Sequence, residues 1–321
     1  MEQHLKGFLR DLEVRNYSPL SLLKFARCLR MFLDFLKQKG ITEIKKVGRD
    51  ELREYSEILA EHPKYSVSYV GFNIRTVKYF FRYLKKTNVI LFDFSGFLKE
   101  PKLPQTLPKE PLTLAEVKLL LEIPDLRTEA GIRNRAILET FYSSGIRVQE
   151  MSNLTLFDLD LEQGFLFIRE GKGKRDRAVP LGKHACHFIQ SYLESVRPLL
   201  VAKDKQSKAV KTGRLWINKW GRPLLKGDII WMVRRCRKKA GITKQVTPHS
   251  FRRTLAVELI RNECDFLTVK SILGHANSNT TLRYCALSGV ELKEALKKSH
   301  PRYDGDENCV PQIKSFKASN D

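Results

Sequence analysis

No apolar run in the chain approaches the roughly 20 residues that a membrane-spanning helix needs, and the opening stretch MEQHLKGFLRDLEVRNYS is charged throughout. The first absence leaves no candidate for a membrane span. The second argues against a secretory signal peptide. Cysteine is sparse: six in 321 residues, at positions 28, 186, 236, 264, 285 and 309, with no C-x-x-C pair. That scatter supplies neither a disulfide framework nor a zinc site, and it suits reduced thiols in the cytoplasm. The stretch HACH at 184–187 has no second ligand cluster and reads as a solvated helix face, so no metal is expected. Acidic charge is also short, 36 Asp and Glu against 58 Lys and Arg, for a net charge of +22. Such an excess concentrates polyanions and makes their binding salt-dependent through counterion release. Lys and Arg run through the whole chain, so a basic tail does not explain the excess. Nucleic acid is the expected partner, and the cytoplasm, in association with the nucleoid, the expected compartment.

What is present divides the chain. In SPLSLLKFARCLRMFLDFLKQKG, Ser18 is placed as an N-cap, Pro19 at the first helical position and Gly40 as the stop. Between them Leu22, Phe25, Leu29, Phe32 and Leu36 keep helical spacing. Val67, Val70, Ile74, Val77, Phe81 and Leu84 do the same, and Arg75, Lys78, Arg82, Lys85 and Lys86 occupy the opposite side. The pattern predicts a small helical bundle with a basic outer face over residues 1–98. Next, Pro101, Pro104, Pro108 and Pro111 interleave with charge. Proline lacks the amide donor and restrains its neighbour, so 99–111 is expected to be an extended linker. Thr113 with Glu116 forms a capping box that opens a second domain, expected over 112–300. There GIRNRAILETFYSSGIRVQEMSNL reads as two helices broken at Gly145; GFLFI, REGKGKRDR and AVPL read as strand, Gly-rich turn and returning strand. The fold class is mostly α with a small antiparallel β-sheet, followed by a polar tail over 301–321.

Singly, the chemically interesting residues have ordinary explanations. Arg147 and Glu150 have the spacing of a surface ion pair, worth little. Lys172 is a turn lysine, His249 and Arg252 lie on a helix surface, His275 resembles a cap, and Tyr284 a core aromatic. In order, however, they read Gly-x-Arg-x-x-Glu, Gly-Lys-Gly in a hairpin, His-x-x-Arg, Leu-Gly-His, and a tyrosine nine residues later. That ordered set resembles the tyrosine recombinases: phage-type integrases and Xer-like minimal two-domain site-specific recombinases.

The resemblance, which covers nearly the whole chain, implies an N-terminal helical core-binding (SAM-like) domain and a mixed α/β catalytic domain. It implies that Arg147 and Arg252 clamp the scissile phosphate, that His249 supports it and assists proton transfer, and that Lys172 protonates the leaving 5′-oxygen. His275 would hydrogen-bond a non-bridging oxygen, Glu150 would orient its neighbours, and Tyr284 would be the nucleophile. The chemistry fits these residue types. A phenol with a pKa of about 10 is a poor nucleophile at neutral pH, and a cationic pocket lowers the cost of its attack. Arginine forks match the charge that grows on the non-bridging oxygens. His249 and Arg252, three apart in TPHSFRRTLAVELI, lie on adjacent edges of one helix turn whose N-terminus favours an anion. Phe251, Leu255 and Leu259 are expected to anchor the far side.

Further DNA contacts are expected from Arg75, Lys78, Arg82, Lys174 and Arg253, the last weighed equally as a surface charge. The choice of Lys172 over Lys174 rests on the family's Gly-Lys-Gly pattern. Tyr142 and Tyr303 follow no Leu-Gly-His, and Phe251 stands where the family usually has leucine. The resemblance further implies duplex DNA with a paired inverted-repeat site, a tetramer on DNA, a Holliday junction, and neither metal nor cofactor. The length suggests a type without an extra arm-binding domain. Whether SGVELKEALKKSHP docks on its own or a neighbouring subunit, and whether an accessory protein takes part, stay open. So do two other readings: a type IB topoisomerase-like enzyme, and a DNA-binding protein that has lost catalysis.

Overall fold

In the computed structural model, which describes residues 1–102, 109–169, 176–204, 206 and 211–274, the chain separates into two units, Met1–Leu107 and Pro108–Asp321. The first unit packs α1 (Glu2–Val14), α2 (Pro19–Gln38), α3 (Arg49–Glu61) and α4 (Val67–Lys86). The Ser18 hydroxyl accepts the Ser21 N–H at 3.2 Å, Pro19 follows at the first helical position, and Gly40 adopts a left-handed φ of 72°. Phe25, Leu29, Phe32 and Leu36 of α2 are buried, as are Val70, Ile74, Val77, Phe81 and Leu84 of α4. Each such side chain contributes about 1.5–3 kcal/mol on burial, so packing of these apolar faces holds the helices. Val67 departs from the expected stripe: at the first turn of α4 it is 43% exposed, because the bundle ends there.

The second unit begins as the capping box requires. Thr113 N–H donates to Glu116 Oε2 at 2.7 Å, Glu116 N–H donates to Thr113 Oγ1 at 3.2 Å, and α5 (Leu114–Glu122) follows. α6 (Glu129–Ser144) is the central helix; Ala136, Ile137, Leu138, Thr140, Phe141 and Ser144 are all fully buried. Its buried hydroxyls bond back along the helix, Thr140 to Ala136 O at 2.7 Å and Ser144 to Thr140 O at 2.5 Å. α7 (Val148–Asn153) comes next. The sheet has three antiparallel strands in the order β1 (Leu159–Asp160), β2 (Phe165–Ile168) and β3 (Arg177–Pro180). Its short first strand was not in the expected hairpin. Leu166 and Ile168 turn into the core opposite Val179 and Arg177, and Phe165 and Phe167 face outward.

α8 (Lys183–Ser191) continues through a π-type turn into α9 (Arg197–Lys203), beside Pro198, which cannot donate to Glu194. His184 and His187 are exposed on α8. α10 (Lys226–Lys239), α11 (Pro248–Arg261) and α12 (Phe266–Leu273) complete the described part. Phe251 of α11 is fully buried and stacks on Phe141 of α6, with centroids 6.2 Å apart. Leu255 and Leu259 pack on Ala256, Val269 and Leu273, joining α11 to α12.

Candidate active site

A sharp corner places the first arginine. α6 ends at Gly145, whose φ of 58° lies in the left-handed region and whose N–H closes on Phe141 O. A side chain there would also collide with Leu255, 2.9 Å from the ideal Cβ. Two residues later Arg147 caps α7. Its N–H donates to Glu150 Oε2 at 2.8 Å, which is why an acid stands at the third helical position.

The same carboxylate then accepts Arg147 Nη1 at 2.7 Å, Arg177 Nη1 at 3.1 Å and Arg177 Nη2 at 2.8 Å. The surface ion pair suggested by the spacing is therefore a buried carboxylate shared by two guanidiniums, with the Glu150 side chain 9% exposed. Burial alone would raise its pKa. The hydrogen bonds from Arg177 and from the Arg147 N–H, with the charge of Arg177 and the Arg147 side-chain bond, outweigh that and hold it below the ordinary carboxylate value.

The second arginine comes from α11. Pro248 occupies its first position, Thr247 N–H donates to Ser250 Oγ at 3.1 Å, and Thr254 Oγ1 bonds Ser250 O while accepting Leu112 N–H at 2.8 Å. These bonds pin the N-terminal turn. Arg252 lies on the inward side, only 2% exposed. Its Nη1 donates to Gly145 O at 2.8 Å and its Nη2 to Leu273 O. Arg147 Nη2 donates to Gly274 O at 2.9 Å. Two arginines thus converge on carbonyls at the C-terminal ends of α6 and α12, where orphan acceptors and the helix dipole favour cations. Gly274, with φ 62°, makes the left-handed turn that presents those carbonyls. A guanidinium carries more N–H donors than the two Arg147 bonds use.

His249 is on the outward side of the same turn and exposed. The expected pairing of His249 and Arg252 on neighbouring edges therefore takes an asymmetric form: the arginine is sunk against backbone carbonyls and the histidine stands at the surface. Partial removal from water, followed by the charges of Arg252, Arg147, Arg253 and Lys226, lowers the His249 pKa below its ordinary value. An exposed imidazole facing four cations marks a place where negative charge is favoured.

Lys172, Lys174, His275 and Tyr284 lie outside the described residues, as do the expected docking segment and the polar tail. In the first unit, Arg75 donates to Glu100 at 3.0 and 2.6 Å, and Lys78 approaches the same carboxylate at 3.9 Å. Arg82 is exposed and lies over the Tyr79 ring. Arg253 is half-buried.

Arg177 and Lys226 were not among the expected site residues. The stretch REGKGKRDR puts Arg177 in the hairpin turn, yet it lies on β3 two residues before the inward-facing Val179 and so shares its face. An arginine at a core-facing strand position needs a buried partner, and the spacing to Val179 is the sequence signal of one.

Both units of the chain resemble known proteins. Residues 110–289 match the phage integrase family, and residues 5–90 match the phage integrase N-terminal SAM-like domain. Tyrosine recombinase XerC of Halalkalibacterium halodurans is 33% identical over 303 residues, covering 94% of this chain and 98% of the relative. Tyrosine recombinase XerD of Staphylococcus aureus is 31% identical over 303 residues, covering 94% and 100%. Among solved structures, XerA recombinase aligns with a TM-score of 0.52 at 27% identity, covering 94% of this chain and 99% of the other. A lambda integrase dimer bound to a COC' core site aligns at 0.67 and 15% identity, covering 90% and 96%, a likeness of fold alone.

Proposed function

Since the chain belongs to the phage integrase family, as a tyrosine recombinase that cleaves and rejoins DNA at specific sites, we propose that Arg147, His249 and Arg252 receive the scissile phosphate and that Tyr284 attacks it. The observation that carries this assignment is the convergence of Arg147 and Arg252 on the carbonyls of Leu273 and Gly274, immediately before His275 in the chain.

The Tyr284 oxygen bonds to phosphorus as the P–O5′ bond breaks, giving a 3′-phosphotyrosyl link and a 5′-hydroxyl. Lys172 protonates the departing 5′-oxygen, Lys174 being its rival in the same hairpin turn. His275 bonds a non-bridging oxygen. His249, whose lowered pKa keeps it neutral at neutral pH, takes the phenolic proton; the entering phosphate offsets the surrounding cations and so favours the imidazolium once formed. Arg147 and Arg252 stabilise the charge that builds on the non-bridging oxygens, an effect of fixed donors in a partly dry site. The 5′-hydroxyl of another strand then attacks the phosphotyrosine in reverse. Energy is conserved in the covalent link.

We further propose a paired inverted-repeat site on chromosomal DNA in the cytoplasm, a tetramer and a Holliday-junction intermediate. Related structures bear on this: one of lambda integrase is described as a tetramer bound to a Holliday junction. DNA is grasped by the bundle over 1–98 and the catalytic part over 112–300, joined by 99–111, with Arg75, Lys78, Arg82, Lys174 and Arg253 as added contacts.

Covalent trapping tests the assignment. Fragmented, nicked genomic DNA is incubated with wild type and with Tyr284→Phe, and the DNA left attached after denaturation is sequenced. Adducts at one short inverted repeat, absent in the variant, are expected. Adducts that persist in Tyr284→Phe remove the nucleophile, and adducts spread over all DNA favour a topoisomerase-like activity.

A further inference from the structure

We infer that Arg177 is a positioning residue for strand cleavage: it locks Glu150 from one side, packs beneath Gly274 from the other, and so determines how Arg147 presents its guanidinium. The inference rests on the reading of Arg147 as a phosphate ligand.

The first support is the occupancy of Glu150. Oε1 accepts Arg147 Nη1 at 2.7 Å and Arg177 Nη1 at 3.1 Å, and Oε2 accepts the Arg147 N–H at 2.8 Å and Arg177 Nη2 at 2.8 Å. A carboxylate offers about four lone-pair sites, and here each oxygen has two donors, so the group has no slack. The second support is independent of Glu150. Arg177 Nε donates to Ile272 O at 3.4 Å, and a Cβ built on Gly274 would lie 2.8 Å from Arg177 Cδ and Nε and 2.9 Å from Cζ. The arginine therefore runs directly under the turn whose carbonyl holds Arg147 Nη2. With its side chain only 12% exposed, Arg177 is not placed as a surface contact for DNA.

Charge gives the arrangement its purpose. One carboxylate between two guanidiniums leaves a net positive charge, and Arg147 keeps one Nη on Glu150 and the other on Gly274 O. Without Arg177, half of the Glu150 acceptor sites fall vacant. Arg147 can then leave Gly274 O and close a bidentate fork on Glu150, a neutral pair with little attraction for a phosphate.

The test uses the full chain and DNA carrying the site recovered by trapping. Single-turnover cleavage at saturating protein is measured beside DNA affinity and thermal unfolding. For Arg177→Ala the cleavage rate constant is expected to fall ~100-fold while Kd stays within about threefold, the signature of a misplaced group acting after binding. Arg177→Lys keeps the charge without the fork; its stability should match wild type while its rate stays about tenfold low. Glu150→Gln combined with Arg177→Ala should be no slower than the slower single variant, since both act through one unit. A wild-type rate in Arg177→Ala, a loss confined to the reacting fraction or to Kd, or additive losses would overturn the inference. A wild type that forms no adduct overturns the recombinase assignment and this inference together; an active wild type with an unaffected Arg177→Ala overturns only the inference.

Discussion

The arginines of α4 and those around α11 are the same residue in opposite circumstances. On α4, Arg82 is exposed over a tyrosine ring, Lys85 and Lys86 are exposed in the last turn, and Arg75 is half-exposed beside Glu100. Around α11, Arg252 is 2% exposed against two carbonyls, and Arg147 divides itself between Glu150 and Gly274 O. An exposed guanidinium acts as a point in a long-range field, screened over about 10 Å by ordinary salt. A buried one must be satisfied by fixed partners, and those partners give it a direction. The net charge of +22 adds both kinds together, but only the second can be catalytic in the sense of preorganised donors.

The largest test of that contrast is Arg252→Ala. Leaving the Gly145 and Leu273 carbonyls unpaired should cost ~1–3 kcal/mol for each buried group, read by urea unfolding. Cleavage should fall ~1,000-fold, as for loss of a fixed donor at a developing charge. Arg82→Ala should do neither, and equal effects in the two variants would erase the distinction. Gly274→Ala comes next. Its positive φ imposes about 1–2 kcal/mol on any side chain, and its Cβ collides with Arg177. By urea unfolding, Gly274→Ala should cost less when added to Arg177→Ala than when added to wild type, because the collision is then already gone. An equal cost in both backgrounds would mean that backbone strain is the whole effect.

Legibility from sequence divides along the same line. Features set within a few residues could be read directly: Ser18 and Pro19 at the start of α2, the Thr113 and Glu116 box, and the stripe Phe25, Leu29, Phe32, Leu36. Arg147 and Glu150 were visible as a pair, but their burial was not, because it depends on Arg177 27 residues away. Nor could the partners of Arg252 be read. They are backbone carbonyls at Gly145 and Leu273, and every residue has a carbonyl, so side-chain pattern carries no mark of which ones face an arginine. β1 escaped because two residues, Leu159 and Asp160, are too few to show alternation.

A smaller effect distinguishes the middle case, His249, exposed yet surrounded by Arg252, Arg147, Arg253 and Lys226. Partial removal from water, and then those charges, disfavour the imidazolium, so its folded pKa lies below the ordinary value. If the neutral form takes the Tyr284 proton, cleavage under kcat/KM conditions rises with pH through that lowered pKa and is flat above it. Arg253→Ala removes one cation, so the pKa rises toward the ordinary value and the acid limb moves to higher pH. A limb that stays in place in Arg253→Ala would show that another group sets the profile.

The smallest expected effect belongs to the outer face of α4, and salt exposes it. A charge that neutralises a DNA phosphate releases counterions, so each one lost should flatten the slope of log K against log salt by ~0.9. Arg82→Ala, Lys85→Ala and Lys86→Ala, combined, should lower that slope in proportion to how many touch phosphate, with the single-turnover rate on bound DNA unchanged. Arg75→Ala should change it less, because its charge is already held by Glu100; an exposed pair of this kind is worth only about 0–1 kcal/mol, yet it keeps the guanidinium facing a carboxylate. A full step in slope from Arg75 would mean that DNA takes the guanidinium from Glu100. An unchanged slope in the triple variant would place the bundle's DNA contacts on a face other than this one.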